Sequence, residues 1–591
     1  MFRTIRDYFL KQEGLVILLA CGWLFCLPFT RLFLWKLAES NVFLLEGEYF
    51  RRTVLALGGP LNYAAHGLTT LFASSSTAIT VIVAVWILQA LLSRMISRIH
   101  SGPWIWLNAL PGALALYLAH YMRFDIWITP YPHTYFVITL GLIVVLACLR
   151  ITEKHSLVLS IILVPLLWLL CGTWAIIFAF SVLLRALFSS GRFSTRRTLL
   201  STIPLLLAGA LPYLLIRLSL LQLSPKYAYG THLPCFEWKN NWPGNIVIIF
   251  CLLLTFCLPF LLRTFRLPKQ RWLHAMILLP VSAIVMAVLL QHPHLSSILA
   301  MERATKEGRW KDVLSIAPND PQPHRSMSAY RILAMYKTGT IAEDLFKFPM
   351  ATTHFSTPLD TLQINGPLLL YEYGLIMNAR KPLMESGALY GMSAERLRLL
   401  GRIACVASET DAAGVYFEKL SHVPFYGKEG KRWLRILHAK EPTPEDMLHV
   451  AISYNTFKNA YPRGFLGANV RLEEDIYRTY TSLEASPPHM ATMYMCSILL
   501  EKQTVKFESN LHILRKLQSE NGCALMALQA GLLFYPVTAS NDKDKETYAY
   551  VSVGITAGAL QTWNALITRS STGASVTAHL PESIKTDFGQ T

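Results

Sequence analysis

The chain is 591 residues long, 53% hydrophobic, and carries a formal net charge of +17. That length admits at least two domains. Residues 1–300 hold 23 Lys and Arg against 8 Asp and Glu, whereas the remainder is nearly balanced. The basic residues sit in short loops between long apolar runs, which is the pattern of membrane orientation and sets nucleic acid aside as a partner.

A helix crossing ~30 Å of hydrocarbon needs about 20 apolar residues. Nine candidate spans follow in order: 15–35, 77–92, 104–121, 135–149, 157–170, 173–188, 199–221, 246–262 and 274–290. The run from 157 to 188 is too long for one span, and Cys171-Gly172-Thr173 in its middle predicts a tight turn. Leu18-Leu19-Ala20-Cys21 is partly like a lipoprotein cleavage box, but the apolar run continues through Trp23-Leu24-Phe25, as a span does.

Five basic clusters set the orientation. They are Arg3, Arg6 and Lys11; Arg94 and Arg98; Arg150 and Lys154; Arg185, Arg192, Arg196 and Arg197; and Arg263, Arg266, Lys269 and Arg271. With nine spans all five fall on one side, which should be cytoplasmic. The expectation is a multi-pass protein of the bacterial inner membrane, N-terminus inside, with everything after Gln291 in the periplasm.

The first outward loop carries Glu46-Gly47-Glu48-Tyr49-Phe50-Arg51-Arg52, then Gly58-Gly59-Pro60 and an aromatic-dotted stretch to Phe72. A carboxylate there (Glu46 or Glu48) has the chemistry of a general base toward an acceptor hydroxyl. Arg51 and Arg52 have the chemistry to hold a lipid phosphate. The competing reading is a short interfacial helix whose charges face water while Phe50, Val54, Leu55 and Leu57 dip into lipid. In the second outward loop, Asp125 beside Arg123 reads either as a second acid with a phosphate-binding partner or as a local ion pair. Arg217, near the outer end of its span, can snorkel to headgroups or bind a lipid phosphate.

Metal and cofactor signals are absent from the pattern. His292-Pro293-His294 lacks a third ligand nearby, and the ten cysteines show neither C-x-x-C nor Cys/His ligand spacing. No metal, cofactor or disulfide framework is expected.

From Leu295 the 3.6-residue periodicity recurs in pieces of helical-hairpin length. In the stretch 395–420, Leu397, Leu399, Leu400, Ile403 and Ala404 form one face, and Ala412, Ala413, Val415, Tyr416 and Leu420 the return face. Gly401, Ala404 and Gly414 are small enough for close approach of the two helices. Similar pairs run from Ala300–Leu314 onto Ala329–Tyr336, and through 490–533. This predicts an all-α fold: a transmembrane domain (1–294), a helical-repeat domain of tetratricopeptide type (295–570) and a Ser/Thr/Gly-rich tail (571–591).

The pieces 58–72, 168–179, 333–339 and 396–425 resemble an uncharacterised family of bacterial polytopic membrane proteins, known only as a domain of unknown function. A second resemblance is to the C-type glycosyltransferases that use polyprenyl-phosphate sugars. These carry an acid in the first outward loop, often another in the second, and a soluble C-terminal domain outside. It implies catalytic roles for Glu46 or Glu48 and for Asp125, and a polyprenyl-phosphate-linked sugar as substrate. The chain departs from that pattern in having a single acid near an aromatic where the family has an acidic pair. Two function classes therefore stand: a lipid-linked-sugar transferase of envelope assembly, or a non-enzymatic scaffold embedded in the bilayer whose repeats recruit a protein partner.

Overall fold

The computed structural model describes residues 28–99, 133–154, 157–188, 195–218, 229, 249–260, 293–349, 366–373, 376–407, 409–438, 490–500, 509–510 and 513. Among these residues the chain is all-helical, with no strand. They fall into two compact units. The first takes in the chain up to Pro293 together with Gly387–Gly401 and Gly414–His438. The second takes in His294–Ser386, Arg402–Ala413 and the described residues beyond Ala439.

The first unit begins with α1 (Pro28–Ser40), then α2 (Gly47–Val54) and α3 (Gly59–Thr69) with a 3₁₀ turn to Ala73. The apolar helices α4 (Ser75–Ile99), α5 (Thr134–Lys154), α6 (Leu157–Cys171), α7 (Trp174–Phe188) and α8 (Thr195–Arg217) follow. Among the described residues, three stretches are long and apolar enough to cross a membrane: Thr77–Ile99, Thr134–Thr152 and Thr198–Arg217. Helices α6 and α7 and a further helix, Ile249–Phe260, are apolar but shorter. The expected spans at 104–121 and 274–290 lie outside the described residues, as does most of the first.

The run 157–188 breaks where the sequence predicts. Gly172 takes a left-handed φ of 62°, a conformation open to glycine at no steric cost, and α7 turns back on α6. Helix α6 buries Ser160, Val164, Leu167, Trp168 and Cys171, while Val158, Ile162, Leu166 and Leu169 form an exposed stripe at helical spacing. An apolar stripe of that length suits lipid rather than water.

Three contacts tighten the bundle. Gly141 of α5 sits against the Trp174 indole, where a Cβ would come within 2.2 Å of ring carbon, so the two helices pass at glycine distance. In α8, Pro212 lacks the N–H that would bond the Ala208 carbonyl, and the buried Trp168 indole donates to that carbonyl instead (3.0 Å). Arg185 donates to the carbonyls of Leu149 and Thr152 near the C-terminal end of α5, where a cation is favoured.

In the second unit, α9 (Pro293–Lys306), α10 (Trp310–Ser315) and α11 (Arg325–Thr338) form the first helical layers. The wholly buried Arg331 donates to the carbonyls of Pro349, Ile316 and Ala317, holding a turn in which Ala317 takes a positive φ of 44°. Short helices α12 (Ile341–Asp344) and α13 (Gly366–Glu372) come next, then α14 (Ile376–Tyr390). Lys337 pairs with Glu372 at 3.2 Å.

The expected hairpin is present as α15 (Ala394–Val406) and α16 (Thr410–Ser421). Its close approach is made at Gly401, where a Cβ would meet the Phe417 ring at 2.5 Å. Two details differ from the sequence reading. Gly414 has open space around it, and the return face is Ala413, Phe417 and Leu420, with Val415 exposed. The 413/417/420 spacing follows one face of the helix, and Val415 points away from it. Helix α17 (Gly427–His438) stacks Trp433 on Phe417 at 5.1 Å, and α18 (Met490–Leu500) is the last described helix.

Candidate functional site

The loop between the first and second apolar runs folds into a small structured cap. Asn41, 2% exposed just past α1, donates from Nδ2 to the His66 carbonyl (2.8 Å). Its oxygen therefore faces His66 Nδ1 at 2.6 Å, which places the ring proton on Nδ1. The His66 ring lies against that of His133, centroids 3.8 Å apart. Tyr49 donates to the Val42 carbonyl (2.6 Å), and Phe43, Tyr49, Phe50 and Tyr63 pack ring against ring. Burial pushes the Tyr49 phenol up to about 12.

The Gly-Gly-Pro break is sterically required. Gly58 has a φ of 68° and donates its N–H to the Leu169 carbonyl of α6 (2.9 Å). At Gly59 a Cβ would fall 2.0 Å from the Thr53 carbonyl oxygen. Pro60 then sits in the first turn of α3, where no intrahelical donor is needed.

Within this cap, Glu46 precedes α2, Glu48 stands in its first turn, and Arg51 and Arg52 in its last. That polarity suits the helix dipole. Glu48, Arg51 and Arg52 are exposed, and none of the four side chains has an ion pair or hydrogen bond among the described residues. Leu55 (79% exposed) and Phe50 (49%) are open beside them, so charged and apolar groups share one surface. The structure thus brings Glu46, Glu48, Arg51 and Arg52 onto one short helix. Asp125 and Arg123 lie outside the described residues. Arg217 is exposed at the end of α8, donating to the Tyr213 hydroxyl (2.8 Å) and resting over its ring.

Among the described residues, a buried set of ion pairs joins α1 to α15 and α17, and no motif in the sequence points to it. Lys36 (9% exposed) bonds both Glu395 oxygens at 2.9 Å. Glu39 (2% exposed) accepts from Arg398 at 2.9 Å, and Arg398 also donates to Glu429 at 2.8 Å while resting over the Tyr426 ring. Burial works against the Arg398 charge, but the two carboxylates outweigh it and hold the pKa above its ordinary value. The contact continues along the loop. Val42 packs on Gly391, which has a φ of 84°, and the Leu45 N–H donates to the His422 carbonyl (2.9 Å). The i,i+3 pairs Lys36/Glu39 and Glu395/Arg398 are complementary in order and sign, a signal legible in the sequence once the two helices are known to meet.

This arrangement can do two things. It ties the segments 387–401 and 414–438 to the end of α1 and to the loop, and it leaves the α2 charges displayed. Of known proteins, no curated protein and no solved structure matches the chain. A family profile does match, across residues 9–571. The chain belongs to a family of unknown function, DUF6057, in keeping with the uncharacterised family that its sequence resembles.

Proposed function

We propose that the protein is a multi-pass protein of the bacterial inner membrane whose first outward loop works on a polyprenyl-phosphate-linked sugar in envelope assembly, in the manner of a C-type glycosyltransferase. The observation carrying this reading is the α2 surface, where an acid and two arginines stand exposed beside Phe50 and Leu55 in a loop anchored to α1 and α6. Such a surface offers a base, a phosphate clamp and an apolar edge for a lipid tail.

The membrane topology has support of its own. Glu39 pairs with Arg398, which supports a topology with the end of α1 and the segments 387–401 and 414–438 on one side of the bilayer. An even number of crossings must then separate Ser40 from Gly387, and eight candidate spans remain after the first. Nine spans, with an outward helical-repeat domain of tetratricopeptide type, satisfy that parity.

Binding and turnover test the reading separately. The full chain in lipid nanodiscs should bind a short-chain polyprenyl phosphate, and Arg51→Gln with Arg52→Gln should weaken binding at least about tenfold. With a polyprenyl-phosphate sugar donor, Glu46→Gln or Glu48→Gln should leave binding intact and lower transfer by ~10²–10⁴-fold. Absence of both binding and transfer would overturn the proposal. The scaffold reading would then take its place, favoured by the buried ion clasp, which holds part of the helical region where a periplasmic protein partner could meet it.

A further inference from the structure

We propose that α4 carries a bound-water site inside the apolar bundle, with the Gln89 amide as its anchor and the Ser93 hydroxyl as its second contact. The site is separate from the α2 surface and stands whether or not that surface transfers sugar.

Helix α4 contains Thr77–Ile99, a stretch long and apolar enough to cross a membrane, and it has no acid in its length. Its buried face is built from Ala78, Ile82, Val85, Trp86, Leu92 and Ile96. Gln89 stands in the middle of that face and is 0% exposed. Neither its amide oxygen nor its amide nitrogen has a hydrogen-bond partner among the described residues. A primary amide brings two donors and an acceptor with two lone pairs, and burying them unmet in an apolar medium is costly. The helix packs on α5, whose buried residues between Ile138 and Leu149 are apolar apart from Thr139 and Cys148. The Thr139 hydroxyl donates to the Tyr135 carbonyl of its own helix.

The neighbouring groups select the ligand. Ser93, one turn on and 2% exposed, spends its proton on the Gln89 carbonyl at 2.9 Å, so its oxygen can only accept from a ligand. Ser97, 0% exposed, repeats the arrangement on the Ser93 carbonyl at 3.0 Å. A molecule bound here must accept from Gln89 Nε2 and donate to Gln89 Oε1 or Ser93 Oγ. Water is the smallest that does both. Successive members of the row lie ~6 Å apart along the helix axis, which is the reach of one water making two hydrogen bonds of ~2.8 Å. A cation would suit the oxygens but not Nε2, and the charged side chains of α4 are Arg94 and Arg98. The row runs from Gln89 through Ser93 and Ser97 toward the exposed Arg98 at the end of the helix, which gives water its route of entry.

The test is radiolytic hydroxyl labelling of the full chain in lipid nanodiscs, read residue by residue by mass spectrometry. Hydroxyl radicals react close to the water that forms them, so a buried side chain is oxidised where water is bound beside it. Trp86 is the reporter, 2% exposed and one turn from Gln89. Trp168 is the dry reference, 1% exposed and with its indole N–H on the Ala208 carbonyl. In the wild-type chain Trp86 should be oxidised and Trp168 spared. Gln89→Leu fills the same space without polar atoms and should bring Trp86 down to the level of Trp168. Gln89→Asn keeps the amide and should leave Trp86 labelled. Oxidation of Trp168 in a variant marks misfolding, and the wild-type contrast then decides alone. Trp86 as protected as Trp168 in the wild type overturns the proposal. So does labelling of Trp86 that persists in Gln89→Leu, or that is lost equally in Gln89→Asn, with Trp168 spared.

Discussion

Removing Arg398 should be among the most damaging single changes to the first unit. Arg398→Met keeps the length of the side chain but takes the Arg398 guanidinium away from Glu39, which is 2% exposed. Breaking a buried pair by deleting one partner costs about 3–5 kcal/mol, because the remaining charge is stranded in a poor solvent. For a domain of this size that lowers the unfolding midpoint by on the order of 10 °C. The assay is thermal unfolding of the purified chain in detergent, followed by the fluorescence of its 14 tryptophans. Adding Glu39→Gln to Arg398→Met should restore part of the loss, since the buried carboxylate is then neutral, giving a coupling of up to about 3 kcal/mol. Arg309→Gln serves as the contrast: its partners Glu307 and Asp312 are exposed, and no change in midpoint is expected. If Arg398→Met proved as mild as Arg309→Gln, or if Glu39→Gln made it worse, the clasp would not be holding the segment.

Other outcomes follow from the same geometry. Gly59→Ala places a Cβ against the Thr53 carbonyl and should destabilise the cap by roughly 2 kcal/mol or more, read as faster proteolysis within 47–69. Trp168→Phe leaves the Ala208 carbonyl without its indole donor and should cost about 1–3 kcal/mol, and Pro212→Ala should recover part of that by restoring an N–H at 212. The folded Tyr49 phenol titrates at about 12 against ~10 when unfolded, so stability is fully present below pH 10 and falls between pH 10 and about 12. Tyr49→Phe should make that alkaline decline shallower in the same thermal assay.

The legible part of this molecule was the part governed by local pattern. The helices near 77–92, 135–149, 157–170, 173–188 and 199–221 are where apolar run length puts them, and the Gly172 turn divides the long run because only a left-handed residue closes it. The hairpin at 394–421 follows from its 3.6 period, but Val415, apolar by type, lies off the buried face that the 413/417/420 spacing defines. The clasp was not legible, because Lys36 and Glu395 are 359 positions apart and each reads locally as an ordinary charged residue at a helix end. The same holds for Asn41 and His66, whose pairing depends on a chain reversal that no motif announces. Glu48, Arg51 and Arg52 were found as a group because a short helix keeps neighbours together; their relation to Asp125 lies outside the described residues.

The most direct test of the account is the sidedness of two points that the clasp ties together. Alkaline phosphatase, active only outside the cytoplasm, is fused after Glu46 in the first loop and, in a second strain, after His438 at the end of α17. Glu39 and Glu429 are bonded by the one Arg398 guanidinium, so the proposed topology predicts that both fusions report the same side, and the outer one. Two active phosphatases are the predicted result. One active and one silent fusion would contradict the clasp, the crossing parity and the outward helical domain together.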